Sequence, residues 1–249
     1  MNTDRLDKER SFHDDRFSGN ETARRRTRKY YSIFGSIHSA YADIISAHCK
    51  GKKLLEYGCG TGDGSEQWLN LGAIVTGIDI SPEGIRMARE RIENTSYEAD
   101  YFVMDAEDTD FDDDSFDIVV GTGIIHHLNL ARSYQEMSRI LKPGGHAVFL
   151  EPLGHNPLIC LYRALTPRMR TEDEHPLKQE DIGLFEQYFD SVDVRYLSLF
   201  TLLSVPFRNT SIFEKLQGFL GHVDKAAFLV PFVRKYAWTA IIHASNPRK

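Results

Sequence analysis

The sequence predicts an α/β fold built on a doubly wound, mainly parallel sheet. Short apolar strands alternate with segments of helical periodicity through the middle of the chain. A glycine-rich turn at residues 58–62 follows the first apolar strand, and Asp79 ends the second one. A turn of this kind followed by an acidic strand end is typical of a nucleoside-binding β-α-β unit.

Composition limits the class of protein without identifying it. The 249 residues suffice for one domain with additions, and the net charge of −6 argues against a nucleic-acid partner. The three cysteines lie far apart, which favours neither a zinc site nor a disulfide framework. The charged opening and the lack of an apolar run of spanning length predict a soluble, cytoplasmic protein without stable membrane insertion.

The first 29 residues are predicted to be a flexible N-terminal segment, because residues 1–23 are polar and poor in aliphatic side chains. The basic run at 24–29 fits either a solvated helix face or a contact with an anionic substrate, carrier or leader. A single domain should then occupy residues 30–249. Its apolar spacing from Ile33 to Ile45 predicts an amphipathic helix that ends near His48.

The glycine turn itself indicates the kind of nucleoside. Residues 54–64 read LLEYGCGTGDG, so the third glycine of the dinucleotide fingerprint is replaced by Asp63. An acidic turn would repel a pyrophosphate, and Glu56 adds a second carboxylate. Acidic groups around a nucleoside suit a ligand that carries a positive charge, such as a sulfonium or an α-amino group. Asp79 is placed to accept hydrogen bonds from a ribose diol.

Residues 56–62 resemble motif I of the class I S-adenosylmethionine-dependent methyltransferases, and Asp79 matches the acidic residue of their motif II. Segments 103–107, 111–119 and 141–145 are similar to further family segments, in family order. The resemblance implies a seven-stranded Rossmann-like methyltransferase sheet, with S-adenosylmethionine as cofactor and S-adenosylhomocysteine as product.

The resemblance also implies which residues bind the cofactor. The position of Asp105 reaches the adenine amino group in this family, and those of Gly121 and Thr122 contact the methionine end. Cys59 is expected to fill space within the turn. The predicted cofactor-binding residues are Glu56, Gly58, Cys59, Gly60, Thr61, Gly62, Asp79, Ile80, Asp105, Ala106, Gly121 and Thr122.

The predicted elements extend on both sides of this region. Strands are expected near 53–57, 74–79, 101–104, 117–122 and 146–150, then a helix at 181–189 and strands at 192–199 and 236–244. By resemblance, the last two strands form the antiparallel pair of the sheet. Insertions at about 151–178 and 204–234 are expected to form a helical cap over the substrate. The second insertion, which is strongly apolar, would alternatively pack on the sheet, in a homodimer or on a membrane surface.

Candidate catalytic residues follow the fourth strand. Methyl transfer needs close positioning, and it needs a base when the acceptor must lose a proton. His126, His127 and His155 are the candidate catalytic residues, although a histidine pair at this point is often structural in the family. The candidate substrate-binding residues are Tyr30, Tyr31, His126, Glu151, His155 and His175.

No metal is expected to take part, because the acidic run at 112–114 precedes the fourth strand, away from the site. The N-P-P-Y type motif of amino-group methylases is also missing at the fourth strand. The sequence therefore predicts methyl transfer to a hydroxyl or carboxylate oxygen of a small metabolite, natural-product precursor or modified peptide. N- or C-methylation of a small molecule, and a catalytically inactive cofactor-binding module, remain alternatives.

Overall fold

The computed structural model describes residues 3–17, 31–93, 95–166 and 176–249. Within these residues a seven-stranded sheet has the order β3-β2-β1-β4-β5-β7-β6. Its strands are β1 (Lys53–Tyr57), β2 (Ile74–Asp79), β3 (Ala99–Val103), β4 (Phe116–Thr122), β5 (Leu141–Pro152), β6 (Phe189–Leu197) and β7 (Thr239–Pro247). β1 to β5 pair in parallel, whereas β7 pairs antiparallel with both β5 and β6. The predicted fold class is confirmed.

Helices cover both faces of this sheet. The described α-helices are α1 (Thr3–Phe17), α2 (Tyr31–Cys49), α3 (Ser65–Asn70), α4 (Pro82–Glu93), α5 (Leu130–Ile140), α6 (Pro157–Leu165), α7 (Gln179–Gly183), α8 (Phe185–Tyr188), α9 (Phe213–Ala227) and α10 (Pro231–Arg234). Two short 3₁₀ helices, Ile125–His127 and Phe200–Phe207, lie among the described elements.

The core lies on both faces of the sheet because its central strands are apolar on both sides. In β1, Leu54 and Leu55 point to opposite faces and both are fully buried. On one face α2 packs its buried stripe of Ile37, Tyr41 and Ile45. Burial on both faces fixes the strand register, and therefore the positions of the loops that follow each strand.

The first described helix departs from the sequence expectation. Residues 3–17 form α1, although their composition predicted a flexible segment. The helix is held by polar contacts with distant parts of the chain, such as the ion pair between Arg5 and Glu107. Composition does not reveal contacts of this kind, because they depend on where the fold brings the partners.

The second predicted insertion lies beside the sheet. The buried carboxylate of Asp224 in α9 accepts hydrogen bonds from the backbone N–H groups of residues 199–201, which joins α9 to the second 3₁₀ helix. Together with α2 and β6, α9 borders a groove of about 700 Å³. The outer side of this insertion exposes Phe219, Leu229 and Phe232. Among the described helices, none is both long and apolar enough to cross a membrane.

Candidate active site

A cavity of about 530 Å³ opens at the carboxyl ends of β1, β2, β4 and β5. In open α/β sheets this edge is where ligands bind, because the strand order reverses there and leaves a crevice. The floor of the cavity, as we name it, consists of the carboxyl ends of the strands and the loops that leave them. The floor residues are Gly58, Cys59, Gly60, Thr61, Asp63, Ile78, Asp79, Ile80, Met104, Asp105, Ala106, Thr122, Gly123, Ile124, His126, His127, Leu128, Leu150, Glu151 and Pro152.

The glycine turn after β1 requires glycine for conformation and for space. Gly58 and Gly60 have φ angles of +63° and +52°, in the left-handed region that other residues rarely adopt. A Cβ atom on Gly60 would lie 3.2 Å from Cζ of Phe17, and one on Gly58 would lie 2.9 Å from Cδ1 of Ile124. The turn therefore presents bare backbone to the cavity, as a site that approaches a ligand closely needs.

Asp79 ends β2 at the edge of this turn. Its Oδ2 accepts a hydrogen bond of 2.9 Å from the N–H of Gly60, and its Oδ1 accepts one of 2.9 Å from the N–H of Ser81. Burial raises the pKa of the Asp79 carboxyl, and these two hydrogen bonds oppose that shift. A carboxylate offers about four acceptor positions, so the two backbone donors leave capacity for a diol.

Asp105 follows β3 and lines the same cavity. Its Oδ1 accepts a 2.9 Å hydrogen bond from the N–H of Glu107, which closes a tight turn around the side chain. Burial raises the pKa of the Asp105 carboxyl, and the hydrogen bond from Glu107 opposes this. The carboxyl thus lies at the cavity wall beside Met104 and Ala106.

Three residues predicted to bind the cofactor lie behind the floor instead of in it. Gly62 and Gly121 allow close packing. A Cβ atom on Gly62 would lie 3.1 Å from Cβ of Ala88, and one on Gly121 would lie 2.6 Å from the ring of Phe149. Glu56 accepts a 2.5 Å hydrogen bond from the hydroxyl of Ser65 at the start of α3. Neither these glycines nor Glu56 are among the residues that line the cavity.

Cys59 occupies the turn as a packed thiol. It is buried, and its Sγ lies 2.9 Å from the position that a Cβ atom on Gly77 would take. Burial raises the pKa of the Cys59 thiol well above its ordinary value, so the group stays protonated at neutral pH. The close packing around Cys59 explains why a small residue lies at this position, and no redox role is needed to explain it.

A buried histidine and carboxylate meet between the ends of β4 and β5. Nδ1 of His126 lies 2.8 Å from Oε2 of Glu151, which is fully buried. Oε1 of Glu151 also accepts hydrogen bonds of 2.9 Å from the N–H groups of Ile124 and Ile125. Because a carboxylate only accepts, Nδ1 of His126 carries a proton, and in the neutral ring Nε2 is then the acceptor nitrogen.

His127 faces a second cluster, made with side chains of α1. Its Nδ1 lies 3.4 Å from Oε2 of Glu9, and Nε2 of His13 lies 3.6 Å from the same oxygen. The rings of His126 and His127 are 4.3 Å apart between centroids. Two imidazoles and a carboxylate of α1 and the 3₁₀ helix thus border the cavity next to His126.

Helix α1 forms what we call the lid, defined by the cavity-lining residues Arg5, Leu6, Glu9, His13 and Phe17. Arg5 pairs with Glu107 and donates a 2.9 Å hydrogen bond to the carbonyl of His127. Near the other end of the lid, the hydroxyl of Ser81 donates to the carboxylate of Asp14. These contacts hold the helix across the cavity from both ends.

The lid was not predicted from the sequence. Residues 5, 9, 13 and 17 recur every four positions and therefore share one face of a helix. His38 of α2, Trp238 and Thr239 complete the cavity lining and were also not predicted.

Other predicted site residues lie elsewhere or cannot be placed. His155 is half-buried and is not among the residues that line the cavity, so the structure does not bring it to the site. Tyr30 and His175 lie outside the described residues, as do the basic run at 24–29 and the side chain of Tyr31. Among the described residues, the insertion at 204–234 contributes none to the lining, and its role as a substrate cap stays a prediction.

The parallel sheet, the glycine turn and the acidic strand end define the central domain as that of a class I, S-adenosylmethionine-dependent methyltransferase. Residues 55–149 match the family model described as a methyltransferase domain.

Similar proteins include methyltransferases of known name. A demethylmenaquinone methyltransferase of Chlorobaculum tepidum is 39% identical over 103 residues, which cover 41% of each chain. A ubiquinone biosynthesis O-methyltransferase of Xanthomonas oryzae pv. oryzae is 36% identical over 119 residues, or 46% of this chain and 49% of that protein. The similarity thus spans less than half the length of these curated relatives.

A solved structure supports the fold over a longer stretch. Phosphoethanolamine N-methyltransferase 2 of Haemonchus contortus, in complex with S-adenosyl-L-methionine, superposes with a TM-score of 0.66. The superposition covers 95% of this chain and 60% of that chain, at 20% sequence identity. The likeness at this identity concerns the fold alone.

Proposed function

We propose that this protein transfers the methyl group of S-adenosylmethionine to an oxygen of a small acceptor, with His126 as the base that removes the acceptor's proton. The observation that carries the proposal is the contact of 2.8 Å between Nδ1 of His126 and the buried carboxylate of Glu151, at the wall of the cavity.

The floor suits the cofactor on three counts. The turn at Gly58 and Gly60 offers bare backbone that a Cβ atom would obstruct. Asp79 retains acceptor capacity for the ribose diol, and Asp105 lies on the wall where the adenine amino group is expected. When bound, S-adenosylmethionine supplies a methyl group on a positively charged sulfur, and the acidic floor residues are favourable neighbours for that charge.

His126 is arranged to accept a proton. Glu151 fixes the tautomer of the ring through Nδ1, so that Nε2 is the nitrogen available to an acceptor hydroxyl. After proton transfer, the imidazolium would be stabilised by the same carboxylate, which the N–H groups of Ile124 and Ile125 keep in place. General base catalysis of this kind contributes about 10²–10⁴-fold.

The lid completes the acceptor side of the cavity. Glu9, His13 and His127 give this wall polar groups, and Trp238 adds an aromatic surface. Closure by α1 would exclude water from the transferred methyl group. A small hydroxylated aromatic compound, such as a natural-product precursor, fits a wall of this mixed character. The relative named as an O-methyltransferase of ubiquinone biosynthesis supports oxygen as the acceptor atom.

Calorimetry and an acceptor screen test the proposal in sequence. The purified protein is titrated with S-adenosylhomocysteine and, separately, with NAD. It is then incubated with isotopically labelled S-adenosylmethionine and a panel of phenols, catechols, aliphatic alcohols, carboxylic acids and amines. We expect micromolar binding of S-adenosylhomocysteine alone, and label attached to a phenolic oxygen, as located by NMR of the product.

Each part of the proposal has its own contradicting result. Absence of S-adenosylhomocysteine binding would refute the cofactor assignment. Label found on nitrogen or carbon would refute the oxygen acceptor. Turnover that His126→Ala leaves unchanged would refute the role of the base, and the exposed His222 provides the matched control variant His222→Ala.

A further inference from the structure

Three histidines converge at the end of the sheet opposite the cavity. His48 lies in the last turn of α2, His146 in β5 and His243 in β7, and each of them is half-buried. Nδ1 of His146 is 3.1 Å from Nε2 of His243, and the rings of His48 and His146 are 3.9 Å apart between centroids. One ring nitrogen from each histidine lies within 4.8 Å of the other two.

The sheet register brings these side chains together. His146 pairs with Ser245 and His243 pairs with Val148, so the two histidines are diagonal neighbours on one face of the antiparallel pair. The same face carries α2, whose buried side chains pack on Val148. His146 precedes the cavity-lining Leu150 by four residues, or roughly 13 Å along the strand. The cluster is therefore separate from the candidate active site.

We propose that His48, His146 and His243 form a binding site for a divalent transition metal, with Zn²⁺ as the best match. Zinc holds imidazole nitrogens at about 2.0–2.1 Å in a tetrahedral arrangement, which separates two ligand nitrogens by roughly 3.3 Å. The 3.1 Å between His146 and His243 fits this spacing. A hydrogen bond between these two rings would explain their distance, but it would not explain why the ring of His48 packs on them as well.

The surroundings favour a cation. Asp193 of β6 pairs in register with His243, which places a carboxylate on the next strand. The carboxyl end of α2, where His48 lies, carries the negative end of the helix dipole. Because the three imidazoles are half-buried, a metal ion can reach them from solvent.

A metal at this site would have a structural role. It would link the end of α2 to β5 and β7, and these elements all contribute to the wall behind the cavity. Three protein ligands leave one coordination position for water or another ligand. The inference is independent of the proposed methyl transfer, because no residue of the cluster lines the cavity.

Among the described residues one other group could hold a metal, namely Glu9, His13 and His127 of the lid and floor. The experiment must therefore separate the two. Full-length protein is treated with a chelator, dialysed and titrated with Zn²⁺ in competition with a chromophoric chelator. The same protein is titrated with Co²⁺ while its visible spectrum is recorded. The variants are His146→Gln, His48→Gln, His127→Gln and the exposed control His222→Gln.

We expect one equivalent of Zn²⁺ bound at micromolar affinity or better, with a higher melting temperature and tetrahedral Co²⁺ absorption bands. His146→Gln and His48→Gln should each weaken Zn²⁺ binding at least tenfold, whereas His127→Gln and His222→Gln should retain it. Circular dichroism of the metal-free variants verifies folding. If either His146→Gln or His48→Gln fails to fold, the other variant still tests the proposal. Absence of binding by the wild type, or loss of binding in His127→Gln alone, would overturn the proposal.

Discussion

The floor and the lid of the cavity are built on different physical principles. The floor consists of loops at the ends of parallel strands, and its shape follows from backbone geometry and strand register. The lid is a charged helix that reaches the cavity from the start of the chain and is held by polar contacts. The comparison shows that local sequence rules define the part that would bind the cofactor, whereas long-range contacts define the part that closes it.

Two examples show the contrast. Gly60 must be glycine because its φ angle is +52°, in the left-handed region that other residues rarely adopt. This requirement is written in the local sequence. The ion pair of Arg5 with Glu107, by contrast, joins residues 102 positions apart, and neither residue carries a local signal for it. A floor variant should therefore abolish binding, whereas a lid variant should weaken it.

The largest effect is expected from Asp79→Ala, which removes the carboxylate from the centre of the floor. The variant loses the acceptor for the ribose diol and the hydrogen bond from the N–H of Gly60. We expect at least a 100-fold loss of S-adenosylhomocysteine affinity, or more than about 2.7 kcal/mol. Calorimetry provides the measurement, and Asp100→Ala, at an exposed carboxylate of β3, is the matched control. Gly60→Trp should give the same loss by filling the turn. Normal affinity in a folded Asp79→Ala protein would contradict the assigned floor.

The next effect concerns His126, the proposed base. His126→Ala should lower kcat by about 10²-fold or more while the affinity for S-adenosylhomocysteine stays within threefold. Glu151→Gln should lower kcat less, because the ring remains but its tautomer is no longer fixed by a carboxylate. The pH dependence of kcat, measured by steady-state kinetics, distinguishes the two variants. If both leave kcat unchanged, the acceptor is already ionised, as a carboxylate is, or another group is the base.

A smaller effect is expected from the lid. Phe17 lies over the glycine turn, with Cζ 3.2 Å from the Cβ position of Gly60. Phe17→Ala removes this cover. Part of the apolar area buried on binding is then lost, which should cost about 1 kcal/mol of binding free energy and weaken the affinity for S-adenosylhomocysteine roughly fivefold. Phe12→Ala, on the same helix but outside the cavity lining, serves as the control. If Phe17→Ala weakened the affinity as much as Asp79→Ala does, the lid and the floor would contribute equally to binding, and the contrast between them would be wrong.

The same contrast explains what could be predicted from the sequence. The succession of strands along the chain and the floor residues from Gly58 to Thr61 could be predicted from the sequence, because strand patterns and glycine turns are defined by a few neighbouring residues. The prediction placed Glu151 among substrate contacts, but its link to His126 depends on β4 and β5 ending side by side.

Features that depend on register could not be predicted. The convergence of His146 and His243 requires knowing how β5 pairs with β7. The position of α1 requires knowing which distant carboxylates and carbonyls lie beneath it. His155 follows β5, where the chain turns into α6, and it is not among the cavity-lining residues, so its catalytic role stays a prediction. Tyr30, Tyr31 and His175 remain predictions as substrate contacts.

The smallest effect should come from behind the floor, where burial raises the pKa of Glu56 from 4.5 to about 7 and the hydrogen bond from Ser65 opposes the shift. Between these pH values the unfolded chain loses the proton that the folded protein keeps. The stabilising contribution of the protonated group is therefore complete below pH 4.5 and is lost as the pH rises to about 7.

Because glutamine does not ionise, Glu56→Gln should melt a few degrees higher than the wild type at pH 8, with a difference that vanishes towards pH 4.5. Melting curves across this range test the prediction, with the exposed Glu66→Gln as control. Parallel pH profiles for wild type and variant would show that folding does not raise the pKa of Glu56. Since Glu56 does not line the cavity, its variant should also bind S-adenosylhomocysteine within about twofold of the wild type, unlike Asp79→Ala.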